Sequence, residues 1–169
     1  MYFHEAIQQR IHEMDVRYRP MQQLAQLAYD YGLRASEIVN INQTVQPNGS
    51  NKAIIGKKGG KTQLITDTAE IERLNDFIDL WNSNYLKCSY SKYYNAISMF
   101  FADFHKVGGK RETATHLFRY AKAQKTYLVT ESILSVCDAI REVDSKNAEI
   151  YVFSTFVNEN FAPFTIINR

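Results

Sequence analysis

The sequence lacks the features that mark membrane, secreted and metal-binding proteins. Its apolar runs end well short of the ~18 residues that a transmembrane helix needs, and its first residues match neither region of a signal peptide. Its two cysteines, Cys88 and Cys137, are too few for a disulfide framework. His12 and Glu13 do not continue into a zinc-binding H-E-x-x-H motif. We therefore expect a cytoplasmic protein with no metal ion and no membrane partner.

A strong net charge is also missing, but the basic residues are unevenly distributed. The formal charge of +2 is weak evidence for a nucleic-acid partner. Two stretches are nevertheless rich in basic residues: Lys52, Lys57, Lys58 and Lys61 in the first, and Lys106, Lys110, Arg111, Arg119, Lys122 and Lys125 in the second. Local clusters of this kind are typical of surfaces that bind phosphate groups, and they are equally common on solvated faces.

Hydrophobic periodicity and capping signals predict a mostly helical α+β protein. The length of 169 residues fits one domain. Helices are expected over residues 3–14, from Pro20 to Gly32, in a short segment around Ser36, from Asp67 to about Asn84, from Ser91 to Gly108, from about Glu112 to Gln124, around Ile133–Ile140, and after an N-cap at Ser145. Residues 41–51 are expected to form a loop.

One small β element is predicted in the middle of the chain. The apolar runs 53–55 and 63–65 flank a turn rich in glycine and lysine, which favours an antiparallel hairpin. The turn, from Gly56 to Thr62, is one residue short of the nucleotide-binding P-loop motif. A P-loop must also be followed by a helix, whereas a strand-like run follows here. We therefore reject a nucleoside-triphosphatase and expect no cofactor.

Three residues in the C-terminal half suit chemistry on a phosphodiester. His116 and Arg119 lie three residues apart in a stretch that predicts a helix, so both are expected on one face, at the edge of the core. Tyr151 follows on a later helix. Arginine binds phosphate oxygens in a bidentate fork, histidine moves or shares a proton, and tyrosine can attack phosphorus.

Four segments together resemble the catalytic domain of tyrosine recombinases, also called phage-type integrases. Gly32-Leu33-Arg34-Ala35-Ser36-Glu37-Ile38 is similar to the first arginine box of that family, and Ile55-Gly56-Lys57 to its β-hairpin lysine. His116-Leu117-Phe118-Arg119 matches the H-x-x-R box, and Ile150-Tyr151 lies where the nucleophile belongs. Because the order and spacing agree, the resemblance covers nearly the whole chain.

The resemblance implies a metal- and ATP-independent DNA strand transferase that works through a 3′-phosphotyrosyl intermediate. Tyr151 is the implied nucleophile, and Arg34 and Arg119 are the implied phosphate ligands. Lys57 is implied to protonate the leaving 5′-oxygen, and His116 to assist proton movement.

The resemblance also implies double-stranded DNA as the partner and a homo-oligomer on it. The lysines expected to contact the DNA backbone are Lys58, Lys61, Lys122 and Lys125. The apolar tail within residues 158–169 either packs against its own domain or docks on a neighbouring protomer. We further expect residues 1–169 to form a single catalytic domain without the N-terminal DNA-clamping domain of many family members.

Three residues depart from the family pattern. Arg141 and Glu142 occupy positions where a Gly-His or Gly-Trp pair is usual, and Tyr120 replaces a common histidine. The Glu142 carboxylate adds like-charge repulsion beside a phosphate. Either Glu142 is turned away from the site, or cleavage is lowered or conditional.

Other interpretations remain open at this level. A DNA-binding regulatory protein that has lost cleavage shares the same sequence pattern, and a type IB topoisomerase-like relaxer shares the chemistry. In a purely structural interpretation, Arg34 pairs with Glu37 and Tyr151 is an ordinary core aromatic.

Overall fold

The computed structural model describes residues 1–14, 16–56, 60–108 and 114–169. The helices within this part are α1 (Phe3–His12), α2 (Arg19–Tyr31), α3 (Ala35–Ile38), α4 (Ile41–Thr44), α5 (Thr68–Asn82), α6 (Tyr90–Phe100), α7 (Leu117–Thr130), α8 (Ile133–Ile140) and α9 (Ser145–Phe153). The strands are β1 (Val45–Asn48), β2 (Asn51–Ile55), β3 (Thr62–Ile65), β4 (His105–Lys106) and β5 (Phe156–Val157), and short 3-10 turns lie at Val16–Tyr18 and Ala114–His116. The predicted mostly helical α+β class with a small antiparallel sheet is confirmed.

Helix α7 is the central element of the fold. It packs against α1 and α2 on one side and against α8 and α9 on the other. Seven of its residues, from Leu117 to Gln124, are buried. Arg119 is among them and is fully buried. The prediction that Arg119 lies at the edge of the core is therefore wrong: α7 has helices on more than one side, so its polar face is enclosed as well.

Helix α2 ends where the sequence predicts, at a glycine. Gly32 has a φ of +60°, and its N–H bonds to the Ala28 carbonyl as a left-handed C-cap. A side chain there would also have no room, since an added Cβ would lie 3.1 Å from Ile140 Cγ2 and 3.2 Å from Lys122 Cβ. This close approach brings the end of α2 against α7 and α8.

The sheet is larger than the predicted hairpin. Strands β2 and β3 pair antiparallel, with Lys52 opposite Ile65 and Ile55 opposite Thr62, which confirms the hairpin. β1 pairs antiparallel with the other edge of β2. The predicted loop over residues 41–51 is wrong, because that segment holds α4 and β1. Pro47 disguises β1, but an edge strand tolerates proline.

Boundaries of three helices also differ from the prediction. α6 ends at Phe100, and the chain turns there to form β4 before it reaches Gly108. α7 begins at Leu117 and runs to Thr130, beyond the expected end at Gln124. The N-cap of α9 is Asp144, whose carboxylate accepts from the Lys146 N–H, and not the predicted Ser145. In the described part of the chain, no helix is long and apolar enough to span a membrane.

The C-terminal segment packs against its own chain. β5 pairs with β4, and the Thr165 N–H bonds to the Met1 carbonyl. The Phe164 ring meets the Phe3 ring edge-on, with centroids 5.8 Å apart. Of the two arrangements expected for the apolar tail, this is the one within a single protomer.

Candidate active site

The candidate site is built around Arg119, whose guanidinium lies between the ends of α2 and α8. Its Nη1 donates to the Gly32 carbonyl at 3.2 Å and to the Ile140 carbonyl at 2.8 Å. Both acceptors belong to the last turns of helices, where carbonyls lack intrahelical partners and the helix dipole is negative. The ends of two helices therefore hold the buried positive charge of Arg119.

Tyr151 reaches the same guanidinium from α9. Arg119 Nε donates to Tyr151 Oη at 3.4 Å, and the guanidinium carbon lies 5.1 Å from the centre of the Tyr151 ring. Tyr151 is only partly buried. The structure thus brings the predicted arginine and the predicted nucleophile together, although they are 32 residues apart. A purely core role for Tyr151 does not account for its hydroxyl contact with a charged group.

Among the described residues, one donor of Arg119 has no hydrogen-bond partner. Nη2 is buried and makes only an ion pair with Glu142, whose Oε2 lies 3.8 Å away. The other Glu142 oxygen accepts from the Asp144 N–H at 3.2 Å. Of the two alternatives for Glu142, the structure favours the one in which its carboxylate faces the site. A buried guanidinium donor without a partner suits an anion that could approach more closely.

Arg141 forms a second buried guanidinium beside the first. It is 1% exposed, and its Nη2 donates to the same Gly32 carbonyl at 3.1 Å. Its Nη1 donates to the Tyr31 carbonyl at 2.8 Å. Burial lowers the pKa of Arg141 to about 10, while the nearby Glu37 carboxylate opposes that shift. Arg141 is therefore still charged at neutral pH.

Arg34 joins the cluster through Glu37. Its Nη1 lies 3.9 Å from Glu37 Oε1, and its backbone N–H donates to the same oxygen at 2.8 Å. Arg141 Nη2 is 3.8 Å from that oxygen as well. Arg34 is thus a partner of Glu37, as the purely structural interpretation expects. The same carboxylate also links Arg34 to Arg141. The Arg34 side chain keeps 22% of its surface exposed, so it remains open to a ligand.

The cluster as a whole is positively charged and incompletely satisfied. Three arginines, Arg34, Arg119 and Arg141, face two carboxylates, Glu37 and Glu142, which leaves one positive charge in excess. Four buried side-chain atoms lack a hydrogen-bond partner among the described residues, and three of them belong to Glu37, Arg119 and Arg141. Unsatisfied polar atoms concentrated in this way are typical of a binding or catalytic site.

The proton-transfer residues of the predicted site are only partly described. His116 is half-buried in the 3-10 turn that leads into α7, three residues before Arg119. Lys57 and Lys58 lie outside the described residues. The strands that flank them are described, and the hairpin is held to α8, because the Lys61 N–H donates to the Arg141 carbonyl at 3.3 Å.

The remaining predicted DNA-contact lysines differ in their surroundings. Lys61 Nζ donates to Asp138 Oδ1 at 3.1 Å, so it is already paired. Lys122 is half-buried beside Gly32, and burial lowers its pKa. Lys125 is exposed, with its ammonium 5.5 Å from the centre of the Tyr29 ring. With Arg119, these last two lysines follow α7 at intervals of three residues.

Sequence reasoning missed three further polar contacts near the site. It treated Arg141 only as a departure from a family pattern, and it gave no role to Gln63, whose Oε1 accepts from Arg141 at 3.1 Å. It also gave no role to the contact in which Lys106 Nζ donates to Tyr120 Oη at 3.0 Å. The Tyr120 ring lies 4.7 Å from that of Tyr151. The only signal in the sequence was an arginine in a position that usually holds glycine.

The described residues contain no group of three or more histidine, cysteine, aspartate or glutamate side chains that could hold a metal ion. The candidate site is therefore described by its arginines, tyrosine and histidine.

Comparison with known proteins identifies the fold. No protein-family model and no curated protein matches the sequence. Among solved structures, XerA recombinase matches with a TM-score of 0.61 and 16% identity over 94% of this chain and 61% of its own. XerH site-specific recombinase bound to palindromic difH substrate, in a post-cleavage complex, matches with a TM-score of 0.59 and 18% identity over 88% of this chain. Its pre-cleavage complex with difH matches with a TM-score of 0.57 and 17% identity.

This chain spans only part of those proteins, about half of XerH and 61% of XerA. At these identities the match is one of architecture. The chain has the fold of the tyrosine recombinase catalytic domain.

Proposed function

We propose that this protein is a DNA strand transferase of the tyrosine-recombinase type, which breaks and rejoins DNA at a specific site. The observation that carries the proposal is the contact of Arg119 Nε with Tyr151 Oη at 3.4 Å, next to a buried Arg119 Nη2 that has no hydrogen-bond partner among the described residues. This arrangement places a nucleophile, Tyr151 Oη, and a donor for a phosphate oxygen, Arg119 Nη2, at the same guanidinium group. The shared fold with XerH and XerA supports the proposal.

In the proposed reaction, Tyr151 Oη attacks the phosphorus of a DNA phosphodiester. The bond from phosphorus to the 5′-oxygen breaks, a 3′-phosphotyrosyl bond forms, and the 5′-hydroxyl leaves. The Tyr151 proton is lost as the oxygen attacks, and the leaving 5′-oxygen gains a proton. A second 5′-hydroxyl reverses these steps and rejoins the strand. Because the covalent link conserves the bond, the reaction needs no external energy source.

The arginines stabilise the charge that develops on the phosphate. A five-coordinate transition state carries more negative charge on its non-bridging oxygens than the ground state does. Arg119 faces those oxygens with Nη2 and keeps Nη1 fixed on two carbonyls. Arg34 contributes from its exposed side. Guanidinium groups held in advance in this way need little reorganisation during the reaction.

Lys57 and His116 are the proposed proton-transfer residues. Lys57 belongs to the turn between β2 and β3 and donates the proton to the 5′-oxygen in this scheme. His116 precedes α7 and assists proton movement at the phosphate. The Lys61 N–H anchors the hairpin to the end of α8, and this contact supports a role at the site for a lysine of the same hairpin.

The proposed partner is double-stranded DNA, bound as an oligomer. Lys58, Lys61, Lys122 and Lys125 are the proposed backbone contacts, so affinity falls steeply with salt. Docking of the tail on a neighbour requires its release from its own chain. Deleting residues 158–169 should then lower the free energy of unfolding, because Asn158 and Asn160 bond to Asp103. It should abolish higher-order complexes on DNA, measured by light scattering, in a chain that still folds. A truncated chain that unfolds in circular dichroism contradicts this role of the tail.

A second candidate is a DNA-binding regulatory protein that no longer cleaves. It is favoured by one observation, the Glu142 carboxylate 3.8 Å from the free donor of Arg119. A carboxylate there occupies the position that a phosphate oxygen needs. In this candidate the fold and the basic residues still bind DNA, and the reaction does not proceed.

The test is covalent attachment of the protein to DNA. Wild type, Tyr151→Phe and the control Tyr85→Phe are incubated with supercoiled plasmid that carries the DNA flanking the gene. After denaturation, protein attached to a DNA 3′ end is measured. Tyr85 is an exposed tyrosine far from the arginine cluster in sequence. Tyr85→Phe therefore shows whether the loss of any tyrosine hydroxyl lowers adduct formation.

The proposal expects an adduct with wild type and Tyr85→Phe, and none with Tyr151→Phe. Salt-sensitive DNA binding without an adduct, also after Glu142→His, supports the regulatory protein instead. A protein that shows neither DNA binding nor an adduct contradicts both candidates.

A further inference from the structure

We infer that Arg141 is a positioning residue that holds Arg119, Arg34 and the β2–β3 hairpin in one arrangement. The inference rests on the proposed function, since it concerns the same site. It is independent of the resemblance to a family, because that family usually has a glycine at this position. One feature of the backbone and three sets of contacts support it.

The backbone of Arg141 is in a conformation that disfavours any side chain. It ends α8 as a left-handed C-cap with a φ of +59°. Glycine is the usual residue in such caps, and a non-glycine residue there is strained. The side-chain contacts of Arg141 act against this strain.

The first contact ties Arg141 to Arg119. Both guanidinium groups donate to the Gly32 carbonyl, Arg141 Nη2 at 3.1 Å and Arg119 Nη1 at 3.2 Å. The two cations repel each other, and each can remain because the carbonyl lies between them. Removal of Arg141 takes away the second donor to that oxygen and the neighbouring positive charge, so the Arg119 guanidinium should shift relative to the Gly32 carbonyl.

The second contact ties Arg141 to Arg34. Glu37 Oε1 is 3.8 Å from Arg141 Nη2, and it accepts the Arg34 N–H at 2.8 Å. Glu37 is fully buried. A buried carboxylate needs a nearby positive charge, and Arg141 supplies one on its inner side. Without Arg141, the segment that carries Arg34 loses the charge that holds Glu37.

The third contact ties Arg141 to the hairpin. Its Nη1 donates to Gln63 Oε1 on β3 at 3.1 Å, and its carbonyl accepts the Lys61 N–H at 3.3 Å. The side chain and the backbone of one residue thus fasten the same strand region. Lys57 lies between β2 and β3 in the sequence, so Arg141 connects the strand that follows the proposed general acid with both proposed phosphate ligands.

The test compares Arg141→Lys, Arg141→Gly and the control Arg19→Lys. Lysine keeps a charge beside Glu37 but has one nitrogen in place of the planar guanidinium, so it cannot match the positions of all the acceptors of Arg141. Glycine relieves the backbone strain, and Arg19 is exposed at the first residue of α2. Two quantities are measured. One is the nuclear magnetic resonance signal of the Arg119 Nε–Hε group, assigned with Arg119→Lys. The other is the rate of adduct formation at saturating DNA, alongside the Kd for DNA.

The inference expects both Arg141 variants to shift or broaden the Arg119 signal. It expects the adduct rate to fall by about tenfold to a hundredfold, since misplacement by about 1 Å costs on the order of a hundredfold. The Kd for DNA should change less than about threefold. Arg19→Lys should match wild type in every measurement.

An unchanged Arg119 signal in a folded Arg141→Gly protein overturns the inference. If wild type forms no adduct, the proposed function fails, and the Arg119 signal alone still decides the role of Arg141. If both Arg141 variants unfold, Gln63→Ala carries the test, because it removes only the bond to the hairpin. It should speed amide exchange in β3 and leave the Arg119 signal in place, and unchanged exchange contradicts the inference.

Discussion

Arg10 and Arg119 are both largely buried arginines with a carboxylate partner, yet their pairs are built differently. Arg10 forms a bidentate pair with Asp103, in which two nitrogen–oxygen distances are 2.8 Å. Its Nη1 also donates to the Phe100 carbonyl at 2.6 Å. Arg119 approaches Glu142 only to 3.8 Å and keeps a buried donor without a hydrogen bond. One pair is complete, and the other is an ion pair without a hydrogen bond.

The difference separates an arginine that stabilises the fold from one that is available for chemistry. Asp103 also accepts from Asn158 and Asn160, at 2.9 and 2.8 Å, so the Arg10 pair fastens the C-terminal segment to α1. Every strong contact of Arg119 goes instead to backbone carbonyls, which fix its position and leave Nη2 facing Glu142. Substitutions in the two pairs should therefore affect different measurements.

The largest effect is expected from Arg119→Lys. A lysine has one nitrogen in place of the planar guanidinium, so it cannot hold the two carbonyls with one nitrogen and face a phosphate with another. Adduct formation should therefore fall by about 100- to 1000-fold. The matched substitution Arg10→Lys should lower the free energy of unfolding in urea and leave the adduct rate of the folded protein unchanged. Equal losses of adduct rate in the two variants would contradict the distinction.

The second-largest effect is expected on the free energy of unfolding, when the pair of Arg10 and Asp103 is broken. Asp103→Asn leaves Arg10 without its charged partner, and it should lower the free energy of unfolding by about 1–3 kcal/mol. Asn158 and Asn160 lose an acceptor at the same time. The measurement is urea unfolding at neutral pH. A loss as large in Glu142→Gln would show that the two carboxylates are equivalent after all.

The pH dependence of stability should distinguish the same two carboxylates. The hydrogen bonds from Arg10, with those from Asn158 and Asn160, hold the pKa of Asp103 well below its usual range. The folded protein therefore binds fewer protons than the unfolded chain, and this contribution is complete above the ordinary aspartate pKa of about 4. It is lost as the pH falls below that value. Wild type should lose stability there more steeply than Asp103→Asn, as measured by urea unfolding from pH 7 downwards.

A smaller effect is expected when the Glu142 charge is removed. Glu142→Gln takes the competing negative charge from Arg119 and should tighten binding of orthovanadate, a phosphate analogue, by about tenfold, or about 1.4 kcal/mol. Glu72→Gln, on the exposed face of α5, is the matched control. Calorimetric titration measures both. Unchanged affinity in Glu142→Gln would mean that the carboxylate does not compete for the site.

Much of the fold follows from local sequence signals. The Gly32 cap, the Asp67 N-cap and the hairpin between β2 and β3 depend on nearby residues, and all three were predicted correctly. β1 was missed because its proline and asparagine look like a loop, and its pairing with β2 is a tertiary property. Local patterns cannot reveal such a partner.

The sequence predicts which residues form the candidate site, but not how they are arranged. The order and spacing of Arg34, His116, Arg119 and Tyr151 suggested a common site. The burial of Arg119 was missed, because it depends on α2, α8 and α9 closing around α7. The role of Arg141 was missed for the same reason: its acceptors at Tyr31 and Gly32 lie about 110 residues earlier in the chain. Spacing identifies which residues take part, and packing decides what each one touches.

The central claim, that Tyr151 beside Arg119 attacks a phosphodiester, is tested most directly by locating the covalent bond. Cleavage with trypsin after Lys146 releases residues 147–169, in which Tyr151 is the only tyrosine. The competing Tyr120, whose ring is 4.7 Å from that of Tyr151, falls in a separate peptide that ends at Lys122. We predict that mass spectrometry of the adduct finds the nucleotide on residues 147–169. A nucleotide on the Tyr120 peptide, or on any other, would contradict the account.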